Sequence, residues 1–345
     1  MLIRCTKIVL ALITLLYGSL SSSAWADHGP TSSSGAFTQT GHTLEEGQFV
    51  LDLNVDLTFF EELGNNAVAR RTGKVDDDHP HFEALDWSVV QMFELTYGIF
   101  DSFQIGAAIG FYRGDDFREG EIHHGDEHGD EVEIDQFGDI QGVTDLWVTG
   151  KWEAVKGPWG RLAPYVGIKL PTGRDDLRGH SNDHALEPSV QPGTGAFDFL
   201  FGSGYTFPVN ARLDLHGSGQ YILRTEADRF KVGDRIDGGI AAVFRLVDDI
   251  DRFPRVSLVG EVTVRHVFKE EDDGNVVTNS GGTVLFLSPG VQLGLNKRVS
   301  FFVIPQVPVM QALNDEQQKI LVKVFTGLSI TFGGERSKHE DGHES

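Results

Sequence analysis

Histidine and carboxylate side chains, which together can hold a metal ion, cluster in three polar stretches of the sequence. These stretches read "DDDHPHF", "EIHHGDEHGDE" and "GHSNDHALE". They contain seven of the 13 histidines: His79, His81, His123, His124, His128, His180 and His184. Imidazole with carboxylate suits zinc, copper or nickel, and carboxylates alone suit calcium. Because the spacing matches no fixed metal motif, three interpretations stay open: a transition-metal site, weak bridging by divalent cations, and plain solvation.

A serine activated by a histidine would be a second kind of chemistry. His216 and Ser218 in "LDLHGSGQY" share one face of an alternating stretch, whose other face carries Leu213, Leu215 and Tyr221. Both residues therefore lie on the polar face, away from any lipid that such a pair could cleave. Paired acids such as Asp139 and Asp145 could exchange protons, but the sequence gives no better support for catalysis by them. We therefore predict that the protein is not an enzyme.

Cysteine count and net charge exclude further classes. Cys5 is the only cysteine, so disulfides, cysteine zinc sites and cysteine nucleophiles are excluded from the rest of the chain. The formal net charge is −22, and nucleic-acid partners require a basic surface. We predict no nucleic-acid partner and no bound cofactor other than a divalent cation at the polar stretches.

The N-terminus has the pattern of a secretory signal peptide. Arg4 and Lys7 precede an apolar run over residues 8–20, and Ala24 and Ala26 form a small-x-small cleavage site. The run is too short to span a bilayer as a helix, which takes about 20 residues. We predict a signal over 1–26 and a mature chain that begins at Asp27.

Alternation of apolar and polar residues dominates the mature chain. In "FVLDLNVDLTF" Phe49, Leu51 and Leu53 share one face and Asp52 and Asn54 the other. Similar alternation predicts twelve strands, over residues 49–59, 85–99, 103–113, 138–154, 161–170, 195–207, 211–224, 234–247, 255–268, 282–295, 299–311 and 319–332. Most exceed the 5 or 6 residues usual in soluble proteins and reach the roughly 9 to 11 that cross a membrane.

The links between these strands alternate in length. Links after even strands are short, such as "PVN" and "NKR", whereas most links after odd strands are long and polar, such as 61–84, 114–137 and 171–194. Short periplasmic turns and longer external loops produce this alternation in outer-membrane barrels. We predict an all-β fold, a transmembrane antiparallel up-and-down β-barrel of about 12 strands over 47–332. A periplasmic segment (27–46) precedes it and a disordered charged tail (333–345) follows it.

The last strand and the membrane setting predict the partners. Residues 323–332, from Lys323 to Phe332, end in an aromatic residue, as does the C-terminal signal that outer-membrane barrel-assembly machinery recognises. Outer-membrane lipid and lipopolysaccharide would surround such a barrel, and divalent cations could bridge its acidic loops to lipopolysaccharide. We expect a Gram-negative outer membrane, with Phe197, Phe199 and Phe201 facing lipid.

Three motifs resemble a known family. "LPTGRDD" (170–176), "QPGTGAFDFLFGSGYTF" (191–207) and "GDIQGVTDLWVTGKW" (138–152) are similar to the outer-membrane transporters associated with the MetA pathway of phenol degradation. The resemblance is firm over 138–205 and diffuse elsewhere. It implies a barrel that passes small, often hydrophobic compounds.

Charged residues opposite the apolar face would line the barrel lumen. The candidates are Asp139, Asp145, Lys151, Lys169, Asp198, Arg235, Asp237, Arg245, Glu261 and Arg265. They could form ion pairs that plug the interior, or line a narrow, cation-favouring pore. We predict an outer-membrane channel for a small, hydrophobic or aromatic solute. The alternative is a metal-binding or metal-responsive outer-membrane protein that uses the histidine loops.

Overall fold

The computed structural model describes residues 37–76, 80–125, 129–178, 186–247 and 252–334. The predicted signal over 1–26 and the tail from residue 335 lie outside these ranges. His79, His128, His180 and His184 lie outside them too, and only the backbone of His123 and His124 is described.

Long strands dominate the described chain. Those of the barrel wall are β1 (Phe49–Phe60), β3 (Trp87–Phe100), β4 (Phe103–Gly125), β5 (Gly129–Val143), β6 (Leu146–Trp152), β8 (Gly160–Leu170), β9 (Asp198–Asn210), β10 (Leu213–Arg224), β12 (Arg235–Arg245), β13 (Arg255–Val267), β16 (Gly282–Gly294), β17 (Val299–Leu313) and β18 (Ile320–Phe332). Shorter elements are helix α1 (Asn65–Thr72) and strands β2 (His81–Ala84), β7 (Val155–Gly157), β11 (Phe230–Lys231), β14 (Glu271–Asp272) and β15 (Asn275–Val276). No described helix has the length and apolar character needed to cross a membrane.

The strands close into an antiparallel barrel. Each pairs with its neighbours along the chain, and β1 pairs with β18 from Phe49 opposite Phe332 to Phe60 opposite Ile320. Counting β5 and β6 as one strand interrupted at Thr144 and Asp145, the wall has 12 strands. The predicted fold class is confirmed.

Along the strands of the wall, exposed apolar residues alternate with buried ones, as contact with lipid requires. Ile240 in the middle of β12 is 67% exposed and Phe201 in β9 is 50% exposed, whereas Asp198 and Leu200 between the phenylalanines are buried. Exposed apolar residues and buried polar residues are the reverse of a soluble protein. A closed barrel satisfies its backbone hydrogen bonds in lipid, and an outward apolar band of this kind belongs to the Gram-negative outer membrane.

At the end of the barrel that carries the long loops, β4 and β5 extend past the wall as a hairpin. β4 and β5 pair from Phe111 opposite Val143 out to Gly125 opposite Gly129, so the predicted loop over 114–137 is wrong. Beyond Phe111 this hairpin packs against β2 and the helix of the neighbouring link rather than against lipid, and Phe117 is 0% exposed. The apolar alternation that identifies membrane strands is therefore lost. Helix α1 lies in the neighbouring link between β1 and β2.

Candidate functional site

Residues 37–44, called here the N-terminal segment, run inside the barrel. Thr38, Gln39 and Thr40 are 0%, 5% and 0% exposed, although they belong to no strand of the wall. The segment enters at the end that carries the short turns, where the Glu46 N–H donates to Asp101 Oδ1 at 3.0 Å. The polar face of the wall therefore surrounds chain as well as side chains.

A single carboxylate holds the inner end of the N-terminal segment. Glu261 Oε1 accepts hydrogen bonds from the Phe37 N–H at 3.0 Å, the Thr38 N–H at 2.7 Å and the Thr38 hydroxyl at 2.6 Å. The Glu261 side chain projects from β13 and is 1% exposed. Hydrogen bonds to a buried charge are the strong ones, so Glu261 is the main anchor of the segment.

Side chains of other strands bind the rest of the segment. The Gln39 N–H donates to Ser218 Oγ at 3.0 Å and the Gly41 N–H to Thr206 Oγ1 at 2.9 Å. Lys151 Nζ donates to Thr40 Oγ1 at 3.3 Å. Because these bonds come from wall side chains rather than from a strand ladder, the segment could leave without breaking the barrel.

Two glycines let the segment lie close to the wall. A side chain at Gly204 would overlap the backbone oxygens of Gln39 and Thr40. A Cβ at Gly239 would lie 2.8 Å from Thr38 Oγ1. These wall positions therefore accept the segment because they carry no side chain.

The ring of Phe37, the first described residue of the segment, packs against side chains of the inner wall. It stacks on Phe325 with ring centroids 6.3 Å apart, and the Arg265 guanidinium carbon lies 5.1 Å from its centroid. The space left beside Phe37, Ser218 and Asp237 is about 10 Å³. That is about the smallest space that holds one water molecule, so this pocket beside the ring is nearly filled.

Ion pairs surround the phenylalanine. Arg235 Nε lies 2.8 Å from Asp237 Oδ2 as an ion pair. Asp237 accepts hydrogen bonds from Arg265 Nε at 2.7 Å and from Gln220 Nε2 at 2.8 Å. Lys323 Nζ lies 2.7 Å from Asp56 Oδ2. Pairing between these opposite charges offsets the free-energy cost of burying them.

A second charge cluster lies nearer the long-loop end. Lys169 Nζ lies 3.0 Å from Asp145 Oδ2 and 2.8 Å from Asp198 Oδ2. A cavity of about 170 Å³ adjoins it, and Met92, Trp147 and Ile222 supply apolar parts of its wall. The lumen thus combines charge pairs with apolar surface, as the buried cluster around Val90, Met92, Tyr112, Tyr165 and Leu200 also indicates.

Nine of the ten predicted lumenal charges face the interior, and Asp139 does not. Asp139 pairs with Arg113 and its side chain is 42% exposed, while Ile140 beside it is buried. The prediction treated 138–154 as one strand, but the interruption at Thr144 and Asp145 shifts the alternation by one residue. Such a shift moves side chains to the opposite face, so Asp139 points outward although Asp145 points inward.

The side chains of His216 and Ser218 point into the lumen, where each has a polar partner. His216 Nδ1 lies 2.9 Å from Thr206 Oγ1, and Ser218 Oγ accepts the Gln39 N–H. Arg245 pairs with Asp214 at the short-turn end of the same interior. Ser218 thus binds the N-terminal segment directly, and His216 contacts Thr206, which binds it.

Among the seven loop histidines, the structure describes only the side chain of His81. Its Nε2 lies 3.4 Å from Glu187 Oε1. Among the described residues, no group of three or more histidines, cysteines and carboxylates is placed to hold a metal ion. The metal hypothesis otherwise falls on side chains outside the described part of the chain, and it stays a prediction.

Comparison with solved structures supports the fold. An outer-membrane channel of Pseudomonas putida F1 superposes with a TM-score of 0.59 at 12% identity, covering 84% of this chain and 97% of that one. The KdgM porin (TM-score 0.39, 7% identity, 82% and 99% covered) and LpxR from Salmonella typhimurium (0.42, 9%, 81% and 99%) are more distant. No family model and no curated protein matches the sequence. At these identities the likeness concerns the barrel fold alone.

Proposed function

We propose that the protein is an outer-membrane channel for small apolar or aromatic solutes, and that the N-terminal segment closes its path at rest. The observation that supports this proposal is that the N-terminal segment lies inside the lumen and belongs to no strand of the wall. Hydrogen bonds to Glu261, Ser218 and Thr206 hold it there.

The interior surface favours solutes that are partly apolar. The cavity of about 170 Å³ presents Met92, Trp147 and Ile222 beside the Lys169 charge cluster. A second buried apolar cluster, which includes Phe302, Ile304 and Phe325, packs against Phe37. A channel for sugars or ions would have little use for these residues, because pores for polar solutes are lined with polar side chains.

Two likenesses support the proposal. The Pseudomonas putida structure of the same fold is an outer-membrane channel. Motifs over 138–205 resemble the transporters associated with the MetA pathway of phenol degradation, which are thought to pass small, often hydrophobic compounds.

The test uses the mature protein refolded into vesicles whose outer leaflet contains lipopolysaccharide. We expect faster entry of radiolabelled naphthalene than into protein-free vesicles, with low ion conductance in planar bilayers. Unchanged naphthalene entry, together with rapid passage of arabinose and a steady large conductance, would show an open pore for polar solutes and overturn the proposal.

A further inference from the structure

One row of inward side chains crosses five strands at the cavity of about 170 Å³ beside Lys169. The strand register places Ala108 opposite Trp147, and Trp147 opposite Lys169. It continues from Lys169 to Asp198 and from Asp198 to Arg224. All five residues of the row line the cavity. The row therefore has an aromatic ring near one end and a guanidinium group at the other.

Arg224 brings an unused guanidinium group to this cavity. Its side chain is 16% exposed, and Nη1 lies 3.8 Å from Asp198 Oδ2, which is too far for a hydrogen bond. Asp198 Oδ2 lies closer to Lys169 Nζ, at 2.8 Å. The guanidinium forms no hydrogen bond with any residue that the structure describes, and only its Nε is fully enclosed. Its terminal N–H groups can therefore bind an anion without losing a partner.

Arg235 lies beside Arg224 on the next strand and gives an independent indication of an anion. It lies opposite Ile222 in the register, so Arg224 is its diagonal neighbour on the same face, within reach of a long side chain. Arg235 is 4% exposed, and Nε forms an ion pair with Asp237. Its two terminal nitrogens are not enclosed, and they donate to no described residue. A buried cation with N–H groups left over has a free-energy cost that a bound anion would remove.

Neighbouring carboxylates do not occupy the two arginines. The two oxygens of Asp145 accept the N–H groups of Gly173 at 2.9 Å and Thr194 at 3.1 Å, so Asp145 holds the link between β8 and β9. Glu270 is near enough to Arg224 to attract its charge, but among the described residues it accepts no hydrogen bond from that guanidinium. The acceptor that the arginines lack would have to come from a ligand.

The rest of the wall indicates what else the ligand carries. Met92, Trp147 and Ile222 line the cavity, and Trp147 packs against the buried apolar cluster that contains Met92 and Ile222. A cavity of about 150 Å³ is enough for a benzene ring, so this one can hold a single ring with a small polar group. The polar group that matches a guanidinium is a carboxylate, because its two oxygens accept two parallel N–H bonds.

We propose that this cavity, called here the arginine pocket, binds a small organic acid, a carboxylate with an apolar or aromatic body. The assignment rests on the proposed channel function, and it selects, among small apolar or aromatic solutes, those that carry a carboxylate. The carboxylate accepts hydrogen bonds from Arg224 and Arg235. The body of the ligand packs on Met92, Trp147 and Ile222.

Calorimetry on the full mature protein in lipid nanodiscs tests the assignment with sodium benzoate and its neutral analogue benzamide. At pH 7.5 we expect benzoate to bind about tenfold more tightly or better, the factor that about 1.4 kcal/mol provides. Sodium acetate, which has the carboxylate without the ring, should bind more weakly than benzoate. Equal binding of benzoate and benzamide, or of benzoate and acetate, would overturn the assignment.

Variants locate the binding. Arg224→Gln should weaken benzoate binding about tenfold or more and leave benzamide binding unchanged. Since the guanidinium of Arg224 forms no hydrogen bond with a described residue, the barrel should still form, which circular dichroism and heat-modifiable gel mobility verify. Arg229→Gln is the matched control, because Arg229 lies at the same end of the barrel, is 76% exposed and does not line the pocket.

A second variant covers the case in which Arg224→Gln does not fold. Arg224→Lys keeps the charge but lacks the fork of donors, so benzoate binding should still weaken severalfold. If the variant that folds binds benzoate like the wild type, the site lies elsewhere and the proposal fails.

The binding result stands apart from the proposed function. Benzoate binding that depends on Arg224, in a protein that does not speed naphthalene entry, would support the arginine pocket and refute the channel role. Faster naphthalene entry without benzoate binding would support the channel and refute the arginine pocket.

Discussion

Replacing Glu261 by alanine should release the N-terminal segment and open the barrel. Glu261 Oε1 accepts three hydrogen bonds from Phe37 and Thr38, and the side chain is 1% exposed. Hydrogen bonds to a charged group contribute about 1.5 to 3 kcal/mol each. Because the three donors share one oxygen, we take about 3 to 4 kcal/mol as the stabilisation that the seated segment loses.

That loss sets the size of the expected effect. Since about 1.4 kcal/mol corresponds to a factor of ten, the ratio of released to seated segment should rise a few hundredfold. Glu261→Gln should give a smaller rise, because a neutral acceptor forms hydrogen bonds about half as strong. Ser257→Ala is the matched control, since Ser257 is buried on the same strand and does not bind the segment.

Two assays follow the segment independently. Single-channel recordings should show longer and more frequent openings for Glu261→Ala than for the wild type or Ser257→Ala. In a Gln39→Cys background, a hydrophilic maleimide should label the introduced thiol slowly when Glu261 is intact, since residue 39 is 5% exposed, and quickly in Glu261→Ala. The only native cysteine, Cys5, lies in the predicted signal and is absent from protein expressed without it.

One result would refute this reasoning. If Glu261→Ala folds as a barrel but keeps wild-type conductance and a protected thiol in the Gln39→Cys background, the segment is a permanent filling of the lumen rather than a closure that can leave. If Glu261→Ala does not fold, Glu261→Gln replaces it, and its conductance and its thiol labelling in the Gln39→Cys background are measured in the same way.

Three further predictions concern the wall and the loops. Gly204→Val should displace Thr40 and raise conductance while heat-modifiable mobility stays normal; unchanged conductance would contradict the close packing at Gly204. Ile240→Arg should destabilise the barrel in urea titrations by about 2 to 4 kcal/mol, as arginine does near the bilayer centre, whereas Val276→Arg in an external strand should have little effect. The Glu270 pKa is raised in the folded state, so the folded loop binds more protons than the unfolded one and its stability should fall as pH rises from about 5 to 8. Hydrogen exchange over 268–281, corrected for intrinsic rates, should show that fall, and Glu270→Gln should reduce it.

The wall was predictable from sequence because the lipid enforces a period of two. Strand β12 places Ile236, Ile240 and Phe244 outward, and the apolar residues alone identify its faces. The hairpin of β4 and β5 was not predictable beyond Phe111, because there it packs against β2 and helix α1 rather than against lipid, and its faces no longer alternate between apolar and polar residues. Asp139 was misplaced for a related reason: periodicity shows a face but does not show where a strand is interrupted.

The N-terminal segment shows why the site was harder to predict than the wall. "FTQTGHT" at 37–43 has neither an apolar stripe nor a run of charge, so it is indistinguishable from a solvated terminus. The side chains that bind it come from distant parts of the chain, and Thr38 and Glu261 are 223 positions apart. The sequence does contain one indirect sign, because Gly204 and Gly239 give up lumenal side chains at strand positions where a barrel that closed on its own would place bulk. Two lumenal glycines and one buried carboxylate thus accommodate a peptide inside the barrel, and the proposed closure of the channel requires in addition that this peptide can leave.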